Sequence, residues 1–191
     1  MMKIRLATEA DAPAVQAIYA PIVRDTVISF EYEPPSVDEV RRRIAKTLVR
    51  YPWLICERSG DIVGYAYAGE HSERAAYRWS ANVSVYVDAT ARRLGVGSAL
   101  YRSLFALLRL QGFINVYAGI ALPNPASVGL HQAMGMTPIG VYHCVGYKLG
   151  AWHDVGWWEM ALCERPEQPE PVLSLAEAQA LPGWNDVWSQ G

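Results

Sequence analysis

Cysteine is scarce in this chain of 191 residues: Cys56, Cys144 and Cys163 are odd in number, and no two stand at a metal-ligand spacing. That excludes a disulfide framework and a cysteine-based zinc site, and leaves buried free thiols in a reducing compartment as the expectation. Histidine does not fill the gap. His71, His143 and His153 form no H-x-x-x-H pair and no cluster with the cysteines, so no metal is expected. An excess of charge of one sign is missing as well. Seventeen basic and nineteen acidic side chains leave a net charge of −2, which argues against bulk attraction to nucleic acid or to an anionic membrane. The basic run Arg41-Arg42-Arg43 lies inside the helical pattern of Val37, Val40, Ile44 and Leu48 and reads as a solvated face. No long apolar run occurs, and Lys3 and Arg5 interrupt anything signal-like at the start, so a cytoplasmic protein is expected. With 51% hydrophobic and 19% charged residues, one domain with a substantial core follows.

What the chain does have is a turn suited to phosphate. The alternating strand Val83-Ser84-Val85-Tyr86-Val87 leads through a short basic stretch, Arg92-Arg93-Leu94-Gly95-Val96-Gly97-Ser98, into an amphipathic helix expected to begin near Ser98. Gly95 and Gly97 carry no β-carbon, so backbone N–H groups can close around phosphate oxygens at the positive end of the helix dipole. A lone Gly-x-Gly is an ordinary turn that binds nothing. Arg92 and Arg93 tip the balance, because a purely structural turn has no use for two cations there. Other phosphate motifs fit less well. A dinucleotide fingerprint needs a third glycine where Leu100 stands and an acidic residue about 20 positions on, where Asn115 and Tyr117 lie. A Walker A loop needs a Gly-Lys-Ser/Thr ending that is absent.

Around this turn the elements are well punctuated. Ile4-Arg5-Leu6 is a short strand, and Thr8 with Asp11 opens a helix bearing Val15, Ile18, Tyr19 and Ile22 that ends near Arg24. Ser36 with Glu39 opens a second helix, running to about Arg50 before Pro52. The intervening residues 26–35 are too apolar for a plain linker and are expected to line something. Strands at 53–57 and 62–68 flank Arg58-Ser59-Gly60-Asp61, a hairpin turn. Residues 77–87 read as a long central strand, and the helix after the turn carries Leu100, Leu104, Leu107 and Leu108 until Gly112 stops it. A strand at 113–121 follows. Asn124-Pro125 then opens a short helix with Val128, Leu130 and Met134, stopped by Gly135, and two strands close the order at 138–145 and 155–162. The order fits an α/β fold with a mixed sheet and helices on both faces. Residues 1–163 form the expected domain. Residues 164–191 form a proline-punctuated extension in which Ser174 and Glu177 start a brief helix ahead of Trp184 and Trp188, expected to dock by those tryptophans.

The order strand, Arg-x-x-Gly-x-Gly, helix resembles the acyl-CoA-binding motif of the GNAT superfamily of N-acetyltransferases. Further segments spread over residues 3–162 are similar to the phosphinothricin N-acetyltransferase family: Tyr51-Pro52-Trp53-Leu54, Gly64-Tyr65-Ala66-Tyr67-Ala68-Gly69, Tyr77-Arg78-Trp79, Ser84-Val85-Tyr86-Val87, Ala121-Leu122-Pro123-Asn124-Pro125-Ala126-Ser127-Val128-Gly129-Leu130-His131 and Trp152-His153-Asp154-Val155-Gly156-Trp157-Trp158. The resemblance implies splayed fourth and fifth strands with the pantetheine arm of acetyl-CoA between them. Val85, Tyr86 and Val87 would run beside the cofactor, Arg92 through Ser98 would surround its diphosphate, and Asn124 and Ser127 would face its thiol end. It implies a homodimer that acetylates the amino group of a small amino acid or analogue of the phosphinothricin or methionine sulfoximine type, by direct attack in a ternary complex. One departure stands out. The family glutamate two residues before the Ser-Val-Tyr-Val segment is Asn82 here, an amide that cannot take up a proton but can hydrogen-bond an amine.

Acetyl transfer to an ammonium sets three tasks: removing a proton from the nitrogen, stabilising the oxyanion, and protonating the departing thiolate. For the first, His131 is preferred over Glu33, although a backbone-bonded helix histidine and a solvated loop acid describe the same two residues. Backbone N–H near Val85 serves the oxyanion. Tyr86 is a candidate acid for the thiolate and equally a packed aromatic, sharing with Ser84 the face opposite Val83, Val85 and Val87. For the acceptor, Arg78 suits a carboxylate or phosphinate, Phe30 and Trp79 suit an apolar wall, and Asn82 and Ser84 suit the amine. Three of the seven tryptophans fall within residues 146–158, a density expected of an interface or a pocket wall. Two competing readings remain at this point: an acyl-CoA sensor that lost catalysis, suggested by Asn82, and a protein N-terminal or lysine acetyltransferase.

Overall fold

In the computed structural model, which describes residues 2–190, seven strands make one mixed sheet. They are β1 (Met2–Leu6), β2 (Trp53–Arg58), β3 (Asp61–Glu70), β4 (Ser80–Val87), β5 (Asn115–Leu122), β6 (Thr137–Lys148) and β7 (Ala151–Ala161), in the spatial order β1-β2-β3-β4-β5-β7-β6. Only β4 and β5 pair in parallel. A parallel pair needs a crossover, and α3 (Val96–Gln111) supplies it. The other helices are α1 (Ala12–Asp25), α2 (Val37–Leu48), α4 (Pro125–Ala133) and α5 (Leu175–Gln179).

Local chemistry sets the boundaries. Ser59 and Gly60, both at positive φ, form the two-residue turn between β2 and β3 that matches strand twist. The Asp11 carboxylate accepts the Thr8 N–H at 2.7 Å, and the Asn124 side chain accepts the Ser127 N–H at 3.1 Å with Pro125 in the first turn of α4. Helix α3 starts two residues earlier than expected, because left-handed Gly95 ends the loop, and it stops at Gly112, also left-handed. Residues 75–77 form a short 3-10 turn, so β4 begins at Ser80 and not at Tyr77. The closing hairpin is longer than its sequence suggested, since Leu149 and Gly150 take positive φ and bring β6 and β7 around a tight turn.

Strand alternation divides the core between two faces. Ala81 and Val83 of β4, Ala66 and Ala68 of β3 and Val116, Ala118 and Ile120 of β5 pack with Ala99, Leu100, Leu104 and Leu107 of α3. On the opposite face Trp53, Ile55 and Tyr65 meet Val15 and Ile18 of α1 and Val40 and Ile44 of α2. The extension joins the α3 layer: Leu175 and Val187 are buried there and Trp184 and Trp188 half-buried, so aliphatic side chains dock it together with the tryptophans. Cys56 is buried as expected, whereas Cys144 and Cys163 are exposed against expectation, Cys144 at an irregularity of the solvent-facing strand β6 and Cys163 just beyond the end of β7.

The β4–β5 ladder is three residues long, Ser80 with Asn115, Ala81 with Val116 and Asn82 with Tyr117. Beyond it β4 stays paired with β3 as far as Val87, and β5 stays paired with β7 as far as Leu122. The two strands therefore part into a fork. One edge of Val83–Val87 keeps no strand partner, and its N–H and C=O groups need one from elsewhere.

Candidate active site

The basic turn opens beside the fork. Arg93 and Gly95 have φ values of +60° and +82°, an arrangement that turns successive N–H groups toward one concavity. The first helical bond of α3 runs from the Ala99 N–H to the Gly95 carbonyl, so the N–H groups of Val96, Gly97 and Ser98 have no partner within the helix. No acidic side chain sits in the first turn, and Arg92, Arg93 and Leu94 are exposed around it. A β-carbon on Gly97 would stand 2.9 Å from Leu130 Cδ2, so the glycine lets α3 and α4 approach closely at this point. Free N–H groups, a dipole end and two exposed guanidinium groups fit a diphosphate.

A slot of about 50 Å³ lies between β4 and β5 where they part, lined by Val83 to Tyr86, Gly119 to Ala121, and Asn124, Ser127, His131 and Tyr101. Its lining includes side chains from both faces of the sheet. On the α3 side, His131 is 4% exposed. Its Nδ1 is 2.8 Å from the Ser127 carbonyl, which can only accept, so that nitrogen carries the proton and Nε2 accepts from the Tyr101 hydroxyl at 2.9 Å. Both ring nitrogens are thus engaged. Burial pushes the imidazole below its ordinary range, against the Ser127 carbonyl that pulls the other way, so the neutral ring is favoured.

The opposite face is aromatic. Tyr86 stacks on Tyr65 at 5.2 Å between ring centroids and meets Tyr19 edge-on at 5.0 Å, and burial pushes its hydroxyl well above the usual phenol range, so it keeps its proton. Ser84 stands opposite Tyr67 in the β3–β4 ladder, on the same face. The segment 26–35 folds over the late hairpin: Phe30 covers Gly146, where a β-carbon would come within 2.1 Å of the ring, and Tyr32 donates to the Tyr147 carbonyl at 2.6 Å. Buried Lys148 fixes the segment from below, donating to the carbonyls of Val23 and Ser29 at 2.6 Å each. Glu33 is exposed. Glu31 is the acid that turns inward, paired with both terminal nitrogens of Arg43 and accepting from Tyr19. Burial raises its pKa, but Arg43 and Tyr19 outweigh that and leave it below the ordinary carboxylate range. Trp79 packs elsewhere, donating its indole N–H to the Glu170 carbonyl of the extension at 2.8 Å, so Phe30 and Trp79 have different partners. Arg78 lies over the Trp79 ring and donates to the Ala75 carbonyl.

Residues 4–157 match the acetyltransferase (GNAT) domain family. The chain belongs to the GNAT acetyltransferases. It is 42% identical over 176 residues to the phosphinothricin N-acetyltransferase of Streptomyces viridochromogenes, covering 92% of this chain and 96% of that one. It is 32% identical to the L-methionine sulfoximine/L-methionine sulfone acetyltransferase of Salmonella typhimurium, covering 85% and 96%. Among solved structures, a GNAT superfamily phosphinothricin acetyltransferase from Sinorhizobium meliloti in complex with acetyl-CoA superposes with a TM-score of 0.84 at 30% identity, over 91% of this chain and 98% of that one.

This GNAT chain is therefore an acetyl-CoA-dependent N-acetyltransferase, and the relatives do not favour the sensor or protein-modifying readings. No helix among its described residues is long and apolar enough to cross a membrane, and no group of side chains among them is arranged to hold a metal. The fork brings Val85, Tyr86, Asn124, Ser127 and His131 around one slot, with Arg92 to Ser98 beginning one short turn after Val87. Four residues without a motif in the sequence also bear on the site: Tyr101 lines the slot, Tyr19 packs on Tyr86, Glu31 accepts from Tyr19, and His71 is bonded to Asn82. Tyr101 and Tyr19 each looked like one more apolar position on a helix face, and Glu31 one more loop acid. His71 is hydrogen-bonded to Asn82, Nδ1 to Oδ1, at 2.9 Å.

Proposed function

We propose that this acetyltransferase transfers the acetyl group of acetyl-CoA to the α-amino group of a small amino acid or analogue of the phosphinothricin or methionine sulfoximine type, by direct attack in a ternary complex. One observation carries the mechanism: β4 and β5 part beyond a three-residue ladder into a slot whose lining spans both faces of the sheet, so cofactor and acceptor can meet at the fork from opposite sides. The relatives named for these acceptors, which align over most of both chains, support the substrate class.

The diphosphate rests on residues 92–98, and the pantetheine amides pair with the open edge of β4 at Val85 and Val87 and with Asn124 and Ser127. The backbone N–H near Val85 is the oxyanion donor. At the thiolate end stand Tyr86 on one face and the hydrogen-bonded pair His131 and Tyr101 on the other. A neutral His131 already accepts the one phenol proton of Tyr101 and spends its own N–H on the Ser127 carbonyl, so the pair braces the slot and Tyr86 is the candidate acid for the thiolate. For the acceptor's acidic group Arg78 is the candidate, at an open cavity of about 520 Å³ where Arg50, Arg74 and Arg78 face Glu70, Glu73 and Glu177. Phe30 supplies apolar surface and Ser84, in the slot lining, a polar contact, whereas Trp79 is held by the extension and Asn82 by Glu70 and His71. A cytoplasmic homodimer completes the reading: β6 is exposed along nearly its whole length, with Ile139, Val141, Tyr142, Val145 and Tyr147 all more than 40% exposed, a strand that a second copy would cover.

Thiol release from acetyl-CoA, measured over phosphinothricin, methionine sulfoximine, ordinary amino acids and lysine-containing peptides, tests the proposal. Turnover with the first two and little with the peptides is expected. Turnover confined to peptides, or none with any amine, would defeat it.

A further inference from the structure

We propose that His71 accepts the proton of the incoming amine and that Asn82 holds its ring in the working tautomer; the proposal rests on the acetyl-transfer reading above. The amide of Asn82 is oriented by its own bonds. Nδ2 donates to the Glu70 carbonyl at 3.4 Å, which leaves Oδ1 as the atom 2.9 Å from His71 Nδ1. An amide oxygen only accepts, so Nδ1 carries the proton and the neutral ring keeps its lone pair on Nε2. Nε2 has no hydrogen-bond partner among the described residues. The ring itself cannot turn freely, because it stacks on Tyr117 at 4.3 Å and leans on Tyr77 at 5.7 Å between centroids. Restraint on three sides with one nitrogen open is what a proton acceptor requires, and a side chain that merely fills space does not.

The location suits the task. Asn82 and Tyr117 are the last partners of the β4–β5 ladder, so the half-buried imidazole stands where the strands part. Ser84 and Gly119 follow two residues along each strand, on the same face, and both line the slot. Two residues of strand span about 6.6 Å, a distance that an amine and one bridging water cover. The other histidines are less well placed. Both nitrogens of His131 are taken, and His143 and His153 belong to the β6–β7 hairpin. Tyr77 and Tyr117 are the titratable groups packed on the His71 ring, and Glu70 precedes it in the chain.

In the reaction, the acceptor ammonium gives one proton to Nε2, directly or through water. The freed lone pair forms the C–N bond at the thioester carbonyl while the carbonyl π electrons move to oxygen. Their return breaks the C–S bond, the surplus N–H proton leaves with sulfur as the free thiol, and the imidazolium returns its proton to solvent. Each acetyl transferred thus releases one amide, one thiol and one proton.

The test compares wild type with His71→Gln, which can still bond Asn82 but takes no proton. Expected are a fall in kcat/KM of about 10²–10⁴-fold, loss of the acidic limb of the kcat/KM profile, and unchanged calorimetric affinity for acetyl-CoA. In His71→Ala, imidazole added to the buffer is expected to restore rate in proportion to its neutral form. Activity of His71→Gln within about threefold of wild type, or a loss that leaves the acidic limb in place and that imidazole does not rescue in His71→Ala, overturns the assignment. Wild type that binds acetyl-CoA but acetylates no amine overturns the acetyl-transfer reading itself, so the two failures are told apart.

Discussion

Replacing Gly95 by alanine isolates the conformational demand of the phosphate turn. A β-carbon at this position meets nothing within 4 Å, so no steric contact enters, and what remains is a φ of +82°. Holding an L-residue in the left-handed region costs about 1–2 kcal/mol. Two outcomes share that energy. If the turn keeps its shape, the folded state alone loses stability, and at about 2–4 °C per kcal/mol for a domain of this size the melting temperature falls by about 2–8 °C. If the loop relaxes, φ turns negative, the peptide plane rotates and an N–H leaves the concavity. The same energy then appears as an acetyl-CoA Kd weaker by about 5–30-fold. Thermal melts with and without acetyl-CoA, together with calorimetry, divide the two. Gly95→Asn is the internal control, since asparagine visits left-handed conformations at less cost and should recover most of either loss. Gly95→Ala with unchanged melting and unchanged Kd would refute the argument, and so would an asparagine variant as impaired as the alanine one.

Gly97→Val brings branched bulk to within 2.9 Å of Leu130 at the head of α3, and acetyl-CoA affinity measured calorimetrically should fall while the isolated fold persists. Gly146→Ala drives a β-carbon into the Phe30 ring and should loosen residues 26–35, raising the acceptor KM in thiol-release kinetics while acetyl-CoA binding stays unchanged. Tyr101→Phe leaves the buried Nε2 of His131 without its donor, and chemical denaturation should register a loss of about 1–3 kcal/mol. Acid stability should depend on Asp11: burial raises its carboxyl, but the bidentate Arg5 guanidinium and the Thr8 N–H together hold it below the ordinary range. The unfolded carboxyl, near a pKa of about 3.9, takes its proton first. Its contribution is therefore complete above that value and drains away as pH falls through the lower folded one. Asp11→Asn should flatten this part of the pH dependence of the urea midpoint.

The fold was legible where a residue's local chemistry acts alone. Thr8 with Asp11, Ser59-Gly60, Asn124-Pro125 and Gly112 each carry a cap or turn signal that works within four residues, and each stands at the boundary it announced. The turn from Arg92 to Ser98 was legible for the same reason, because glycine and arginine advertise it whatever lies around. Boundaries that depend on distant partners were harder. Tyr77 has strand-forming character, but β4 starts only where Ser80 finds Asn115, and the late hairpin extends to Leu149-Gly150 because each strand supplies the other's ladder. The site was half legible. His131 and Tyr86 were found, but their hydrogen bonds and stacking come from Tyr101, Tyr65 and Tyr19 on other elements. His71 had no motif of its own. Its signal was the amide at Asn82, eleven residues on, and only strand pairing brings the two together.

Everything functional in this account depends on where the diphosphate of acetyl-CoA lies, and a crystal structure of the complex measures that directly. The expected result is phosphate oxygens about 2.7–3.2 Å from the N–H groups of residues 93–98, with the pantetheine arm along the open edge of Val83–Val87. Acetyl-CoA lodged on any other surface of the chain, with that edge of β4 untouched, would contradict it.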